Sequence, residues 1–148
     1  MSPLLRPARD SDLEALVGLL RSWPGLPAWS RAGWREELSN PRVRVLVVEE
    51  DGRPAGCAVV TLVADEAQVG MVAVRPEAVR RGLGRVLLGG LLEEARAAGC
   101  VKASLEVGEG NLPARRLYET EGFRIVGRRM KYYNDGSDAL LMDKGLAP

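Results

Sequence analysis

Residues 74 to 91 read Val-Arg-Pro-Glu-Ala-Val-Arg-Arg-Gly-Leu-Gly-Arg-Val-Leu-Leu-Gly-Gly-Leu: a strand end, a proline, a basic glycine-rich turn, then the start of an apolar-periodic helix. The first N–H groups of a helix have no partner inside it, and the aligned peptide dipoles place roughly half a positive charge there. Gly82 and Gly84, on either side of Leu83, keep Cβ atoms away from those amides, while Arg80, Arg81 and Arg85 add positive charge. Together they form a cradle for an anion, and a pyrophosphate fits it. The competing reading is that the glycines are only permissive backbone at a helix start.

About twenty residues further on, Ser-Leu-Glu-Val-Gly-Glu-Gly-Asn-Leu-Pro-Ala-Arg-Arg-Leu-Tyr-Glu-Thr-Glu-Gly-Phe spans 104 to 123. Asn111 and Tyr118 are seven positions apart, which puts them on one helix stripe about 10 Å apart along the axis, within reach of one elongated ligand. On the strand before it, Ser104, Glu106 and Gly108 share one face and Leu105 and Val107 the other, so Glu106 is expected as a carboxylate among apolar neighbours. Glu106 also reads as an edge residue or half of a structural ion pair, and Tyr118 as a core aromatic with its hydroxyl bonded.

The elements around these residues must position them. Residues 3 to 8 suit a short strand, after which Asp10 or Ser11 caps a helix carrying Leu13, Leu16, Val17 and Leu20. Ser30 to Leu38 suits a second helix, ending before Pro41. Between them Trp-Pro-Gly-Leu-Pro-Ala-Trp, 23 to 29, is either a hydrophobic plug over the core edge or a wall of a substrate site. Val43 to Glu49 and Pro54 to Val63 flank the hairpin signal Asp51-Gly52, and Ala67 to Val74 continues the meander. The helix after Gly82 ends near Gly99, and Ala103 to Val107 is the next strand, giving a parallel crossover. Asn111 to Thr120 is a helix closed by Gly122, and Phe123 to Tyr133 with Ala139 to Met142 forms a last hairpin about Asn134-Asp135-Gly136. A Rossmann unit would carry its glycine-rich turn after the first strand, whereas this one follows the fourth.

Bulk properties narrow the chemistry. A chain of 148 residues is expected to be one domain, burying roughly two-thirds of the surface its unfolded form exposes. No apolar run approaches a membrane span and the start lacks a secretory stretch, so a cytoplasmic protein is expected, with no membrane partner. The absence of histidine excludes a Ser-His-Asp triad and a Cys-His pair and removes the commonest zinc ligand. No metal site is expected. Lys+Arg 21 against Asp+Glu 20 gives a net charge of +1, so no overall field favours nucleic acid. Cys57 and Cys100 sit in apolar segments without metal-ligand spacing and read as packed, reduced thiols.

The turn at 80 to 85, together with the Asn-x-x-Ala-x-x-Leu-Tyr-x-x-x-Gly-Phe run, resembles the GNAT superfamily of N-acetyltransferases: the turn is similar to its acetyl-CoA loop and the run to its last helix. The resemblance implies an α/β fold of about seven mixed, mostly antiparallel strands flanked by about four helices, with acetyl-CoA as the acetyl donor. It implies Val72, Ala73 and Val74 as strand contacts to acetyl-CoA, Arg80, Arg81, Gly82, Leu83, Gly84 and Arg85 as the pyrophosphate loop, and Asn111 as a further cofactor contact. Glu106, directly or through a water, would be the general base toward the amine. Tyr118, also against the cofactor, would be the acid toward sulfur. An α-amine titrates near pH 8 and a lysine near 10.4, so losing a proton at neutral pH costs about 1 kcal/mol for the former and roughly 4 to 5 for the latter, and a carboxylate base suits the α-amine better.

Within the superfamily the chain resembles the RimI-type family, the N-alpha-acetyltransferases of ribosomal proteins. Pro27-Ala-Trp-Ser30, Asp65-Glu-Ala67, Leu105-Glu-Val107 and, above all, Gly127-Arg-Arg-Met-Lys-Tyr-Tyr-Asn-Asp-Gly-Ser-Asp-Ala-Leu-Leu-Met142 carry that likeness. The implied acceptor is the N-terminal α-amine of a protein, a basic ribosomal tail in that family. Asp65, Glu66, Glu109, Asp135 and Asp138 would supply acidic walls for it, unless they are simply solvated loop charges. Trp29, Tyr132 and Tyr133 would line the groove, with core or edge packing as the alternative for the tyrosines. Three departures from the family pattern stand out, one of them an extra spacer residue. Val79 replaces the usual Gln or Arg of the turn, and Met71-Val72 stands where Asn-Ile is usual. A lysine or small-amine acetyltransferase would share every cofactor residue, and a non-catalytic acetyl-CoA-binding module is the alternative of another class.

Overall fold

The computed structural model describes residues 3–22, 29–79, 82–133 and 135–146. Strand runs with period-two burial alternate with helices whose leucines recur every three to four residues. Among the described residues this gives β1 (Leu4–Pro7), α1 (Leu13–Arg21), α2 (Arg31–Ser39), β2 (Val43–Glu50), β3 (Arg53–Val63), β4 (Glu66–Val74), α3 (Leu83–Ala97), β5 (Lys102–Gly108), α4 (Leu112–Thr120), β6 (Arg124–Arg129) and β7 (Ala139–Gly145), with single 3-10 turns at 10–12 and 76–78. The seven strands form one sheet in the order β1-β2-β3-β4-β5-β7-β6. Every adjacent pair is antiparallel except β4 and β5, which α3 joins as the expected parallel crossover. This is the mixed, mostly antiparallel sheet with four helices that the sequence leads one to expect.

Each face of the sheet carries its own apolar cluster. Leu87, Leu88, Leu91 and Leu92 of α3 pack with Val60, Leu105, Val107 and Phe123 on one face. On the other, Leu16 and Leu20 of α1 and Trp34 of α2 pack on Val45, Val47, Cys57 and Val59. Fully burying a leucine contributes roughly 1.5 to 3 kcal/mol, so α3 is anchored along its length and its N-terminal amides are held by packing far from that end. Cys57 and Cys100 are free, buried thiols, and burial pushes the Cys57 thiol up to about 12, so it carries no thiolate at neutral pH. No helix among the described residues is long and apolar enough to cross a membrane.

The Asp51-Gly52 turn has both residues in the left-handed region, φ 52° and 79°, as a two-residue hairpin of the right twist requires. Two boundaries differ from expectation. Neither Asp10 nor Ser11 caps α1: the chain first makes the turn at 10–12, and α1 begins at Leu13. Asp12, only 4 % exposed, explains the detour, because it accepts two bonds of 2.8 Å from the Arg6 guanidinium and one of 2.7 Å from the Arg9 amide. The guanidinium holds the Asp12 carboxyl below the usual carboxylate range. The last hairpin is also asymmetric. Lys131 turns left-handed at φ 52°, its amide bonding Asp138, so β6 stops at Arg129, while β7 runs on to Gly145 because β5 pairs with it from Gly108↔Ala139 to Lys102↔Gly145. Asn134 lies outside the described residues.

Candidate active site

β4 and β5 pair only at Glu66↔Lys102, Ala67↔Ala103 and Gln68↔Ser104, and beyond that they part. A bulge sharpens the divergence: the β3–β4 ladder steps from Val59↔Met71 to Val60↔Val69, so Gly70 is an extra residue that bends β4. The opening widens into a cleft of about 660 Å³ between the end of β4, the start of α3 and one side of α4. Val72, Ala73 and Val74 line it from the strand, Gly82, Leu83, Gly84 and Arg85 from the helix start, and Asn111 and Tyr118 from α4. Nine residues named from sequence as cofactor contacts thus share one cavity. Arg80 and Arg81, the other two, lie outside the described residues.

The start of α3 is built to leave its amides open. Its N-cap is Gly82, left-handed at φ 77° and offering no side-chain cap, whereas Ser30 caps α2 through the Gly33 amide at 3.0 Å and Asn111 caps α4 through the Ala114 amide at 3.3 Å. The two glycines differ in purpose. A Cβ on Gly82 would meet nothing within 4 Å, so its need is the positive φ; a Cβ on Gly84 would stand 3.3 Å from Leu117 Cδ2, so Gly84 lets α3 approach α4. Arg85 reaches Glu121 at 3.2 Å with its side chain mostly in solvent. Sequence reasoning overlooked Arg116, a cation on the α4 wall of the cleft; its spacing from Pro113 and Thr120, both in the same wall, was the available signal.

Tyr118 is 8 % exposed and packs edge to face on Phe123 at 5.9 Å, yet it also lines the cleft, so the core and site readings both hold. Burial pushes its hydroxyl up to about 12.

Glu106 departs from expectation. Leu105 and Val107 point into the α3 cluster, and the pleat sends Glu106 to the opposite face, where it is exposed and 3.1 Å from Arg129 Nε. The apolar surroundings are missing because α1 and α2 cover β2, β3 and β4. It does not line the cleft. The Arg129 guanidinium lies 5.6 Å from the centre of the Tyr132 ring, and Tyr132 meets Tyr133 edge to face at 5.1 Å. Burial first, then the neighbouring Glu106 carboxylate and Tyr132, raise the Tyr133 hydroxyl above its ordinary range. Arg129, on the strand two places from β5, is the other group the sequence reading overlooked.

The expected acidic walls do not assemble. Glu66 pairs with Lys102 at 3.1 Å at the closed end of the β4–β5 ladder, and Asp65 precedes it, with its carbonyl taken by the Val101 amide. Glu66 lies six residues, about 20 Å, from Val72 along β4. Glu109 and Asp138 both bond Arg128, and Asp138 is held below the usual carboxylate range by the Lys131 amide and then by Arg128. Asp135 accepts from the Ser137 hydroxyl and amide, which lower it likewise. Trp29 packs edge to face on the buried Trp34 at 4.8 Å, at the edge of the second core cluster, while 23 to 28 lie outside the described residues. Among the described residues no three His, Cys, Asp or Glu side chains stand together as a metal would need.

A sheet that splits at its one parallel pair, with an uncapped helix N-terminus over the split, defines an acetyltransferase fold: the chain matches the Acetyltransferase (GNAT) family over residues 10–123 and belongs to it. Its relatives narrow the branch. A Bacillus subtilis (strain 168) protein provisionally named a [ribosomal protein bS18]-alanine N-acetyltransferase is 37 % identical over 139 residues, covering 93 % of this chain and 92 % of that one. The [ribosomal protein bS18]-alanine N-acetyltransferase of Escherichia coli (strain K12) is 40 % identical over 116 residues, 74 % and 78 % of the two chains. The crystal structure of the ribosomal-protein-S18-alanine N-acetyltransferase from Escherichia coli superposes with a TM-score of 0.89 at 30 % identity, covering 99 % of this chain and 96 % of that one.

Proposed function

We propose that this chain is a single-domain, cytoplasmic enzyme that transfers the acetyl group of acetyl-CoA to the N-terminal α-amine of a protein, with a ribosomal protein as the leading acceptor. One observation carries the reading: β4 and β5 part where the Tyr118 side chain lines the cleft on one side and the Glu106 carboxylate lies on the opposite face. Acetyl-CoA supplies an activated acetyl group. The open amides of α3 and Arg85 beside them suit its pyrophosphate, and the Val72 to Val74 backbone and apolar walls suit the pantetheine arm. Among the described residues, Arg85 and Arg116 line the same cleft as Val79, so cationic side chains are present in the site where the usual Gln or Arg is missing.

The residues divide the proton transfers. Glu106 stands two residues, about 7 Å, beyond the last β4–β5 pair, on the acceptor face, and takes the amine proton directly or through a water. The amine nitrogen then bonds the acetyl carbon, the carbon–sulfur bond breaks, and Tyr118 gives its proton to the departing sulfur. A hydroxyl pushed up to about 12 remains protonated throughout the working range, as an acid must.

The acceptor is tested by mass spectrometry after incubation with acetyl-CoA of ribosomal-protein N-terminal peptides, lysine peptides blocked at the α-amine, and polyamines. Acetylation of the N-terminal peptides is expected. Modification of polyamines or lysines alone would replace this reading with the small-amine or lysine one, and no modification at all would favour a binding module.

A further inference from the structure

Resting on that reading, we infer that Arg129 selects α-amines by binding the acceptor's own first carbonyl beside Glu106. The guanidinium is planar with five N–H donors, so Glu106, whose Oε1 lies 3.1 Å from Nε, cannot take up all of them. The carboxylate has about four acceptor sites, so it can hold Arg129 and an incoming amine together. In a peptide N-terminus the carbonyl oxygen lies about 3 Å from the amine, because a single Cα separates the two groups. An amine at Glu106 therefore brings its carbonyl to the Arg129 fork. A lysine ammonium is separated from its nearest carbonyl by five carbons, and a polyamine has none.

The same charge rejects the alternatives. With no carbonyl to bind, Arg129 meets a lysine or polyamine only as a like charge beside the carboxylate that must hold it. The cation disfavours the protonated form of either amine, but an α-amine, starting near 8, is thereby largely neutral at working pH, whereas a lysine, starting near 10.4, stays charged and is repelled. Two neighbours hold the arginine in position, since β6 sets it beside β5 through β7 and the Tyr132 ring supports the guanidinium at 5.6 Å. Its side chain is 55 % exposed, so it is open to a ligand.

The test measures kcat/KM of wild type, Arg129→Gln and Arg129→Lys on an alanine-terminated peptide, an α-blocked lysine peptide and spermidine. Losing a charge-assisted bond to the carbonyl should lower the α-amine value by about 10- to 100-fold in Arg129→Gln, chiefly through KM, while the lysine and spermidine values hold or rise. Arg129→Lys, keeping the charge but not the fork, should fall between on the peptide and still reject spermidine. Equal losses on all three acceptors would mark a structural role and overturn the inference, as would an unchanged ratio of α-amine to lysine. A wild type that prefers lysine or spermidine would overturn both this and the parent reading, whereas an α-amine preference retained by Arg129→Gln removes Arg129 alone.

Discussion

On the proposed reading, the two sides of β5 serve the two substrates by opposite means. On the α3 side, Leu105, Val107 and Tyr118 are buried with the helix leucines, and the wall offers a ligand the backbone at the end of β4 and the uncapped amides of α3, with the Tyr118, Arg85 and Arg116 side chains beside them. On the far side Glu106, Arg129, Tyr132 and Tyr133 meet through side chains that are all exposed to solvent. The donor side is fixed before any ligand arrives, since buried leucines hold its geometry. The acceptor side is held by a partly exposed ion pair, which contributes little to stability. Such a difference suits a universal donor and a variable acceptor.

The sharpest break of this asymmetry is Glu106→Gln. General-base catalysis contributes typically about 10²- to 10⁴-fold, and turnover should fall within that range while acetyl-CoA affinity, set on the other face, stays within about twofold. The deficit should be largest at low pH and shrink toward pH 8, where the α-amine sheds its proton unaided. Stopped-flow turnover from pH 6 to 9 with calorimetric acetyl-CoA binding measures both, and a pH-independent loss would remove Glu106 as base.

Tyr118→Phe probes the opposite face. It should lower kcat by about 10- to 100-fold with KM for the peptide little changed, since the ring still packs on Phe123. The wild type should show no loss of the acid below about pH 10, because a hydroxyl at about 12 ionises only well above that. In stability the sign is the same: a raised folded value means the contribution is intact below the unfolded tyrosine value near 10 and fades as pH climbs through 12. An alkaline limb near pH 8 that Tyr118→Phe abolishes would contradict this assignment.

Gly82→Val acts on the donor cradle alone. A β-branched residue at φ 77° is strained by at least 1 to 2 kcal/mol, roughly a 5- to 30-fold effect if it distorts the α3 start, so acetyl-CoA affinity should weaken by about that factor. Gly84→Ala should cost less, because its Cβ presses only on the Leu117 methyl, which can give. Equal affinities by calorimetry in both variants would place the phosphates elsewhere.

The donor side could be read from sequence because its signals are local: glycine spacing, a helix start and the seven-residue interval from Asn111 to Tyr118 all lie within contiguous runs. Nine predicted contacts consequently fall in one cleft. The acceptor side depends on partners far apart in the chain. The Glu106–Arg129 pair requires knowing that β7 returns between β5 and β6, and no periodicity states that order. Pleat alternation put Glu106 on the correct face, but its apolar surroundings did not materialise because helix cover ends short of β5. Charge alone does not set the role of Glu66, which the fold pairs with Lys102 at the closed end of the β4–β5 ladder.

That carboxylate gives the smallest expected effect and therefore the finest test of where the acceptor mouth ends. Glu66 bonds Lys102, which also lies 3.4 Å from Asp143, and all three sit where the β4–β5 ladder is still closed. Lys102 is four residues, about 13 Å, before Glu106 on β5. A basic peptide docked with its amine at Glu106 would have to run back along the sheet to meet them, over two carboxylates that Lys102 already offsets in part. Glu66→Gln should thus leave kcat/KM for a basic N-terminal peptide within about twofold and change stability by no more than about 0.5 to 1 kcal/mol, as for an exposed ion pair. A salt-dependent loss of tenfold or more on basic peptides, absent on a neutral one, would extend the acceptor groove down β5 to the closed end of the sheet. It would also mean that the acceptor side recognises the length of a tail as well as its terminus.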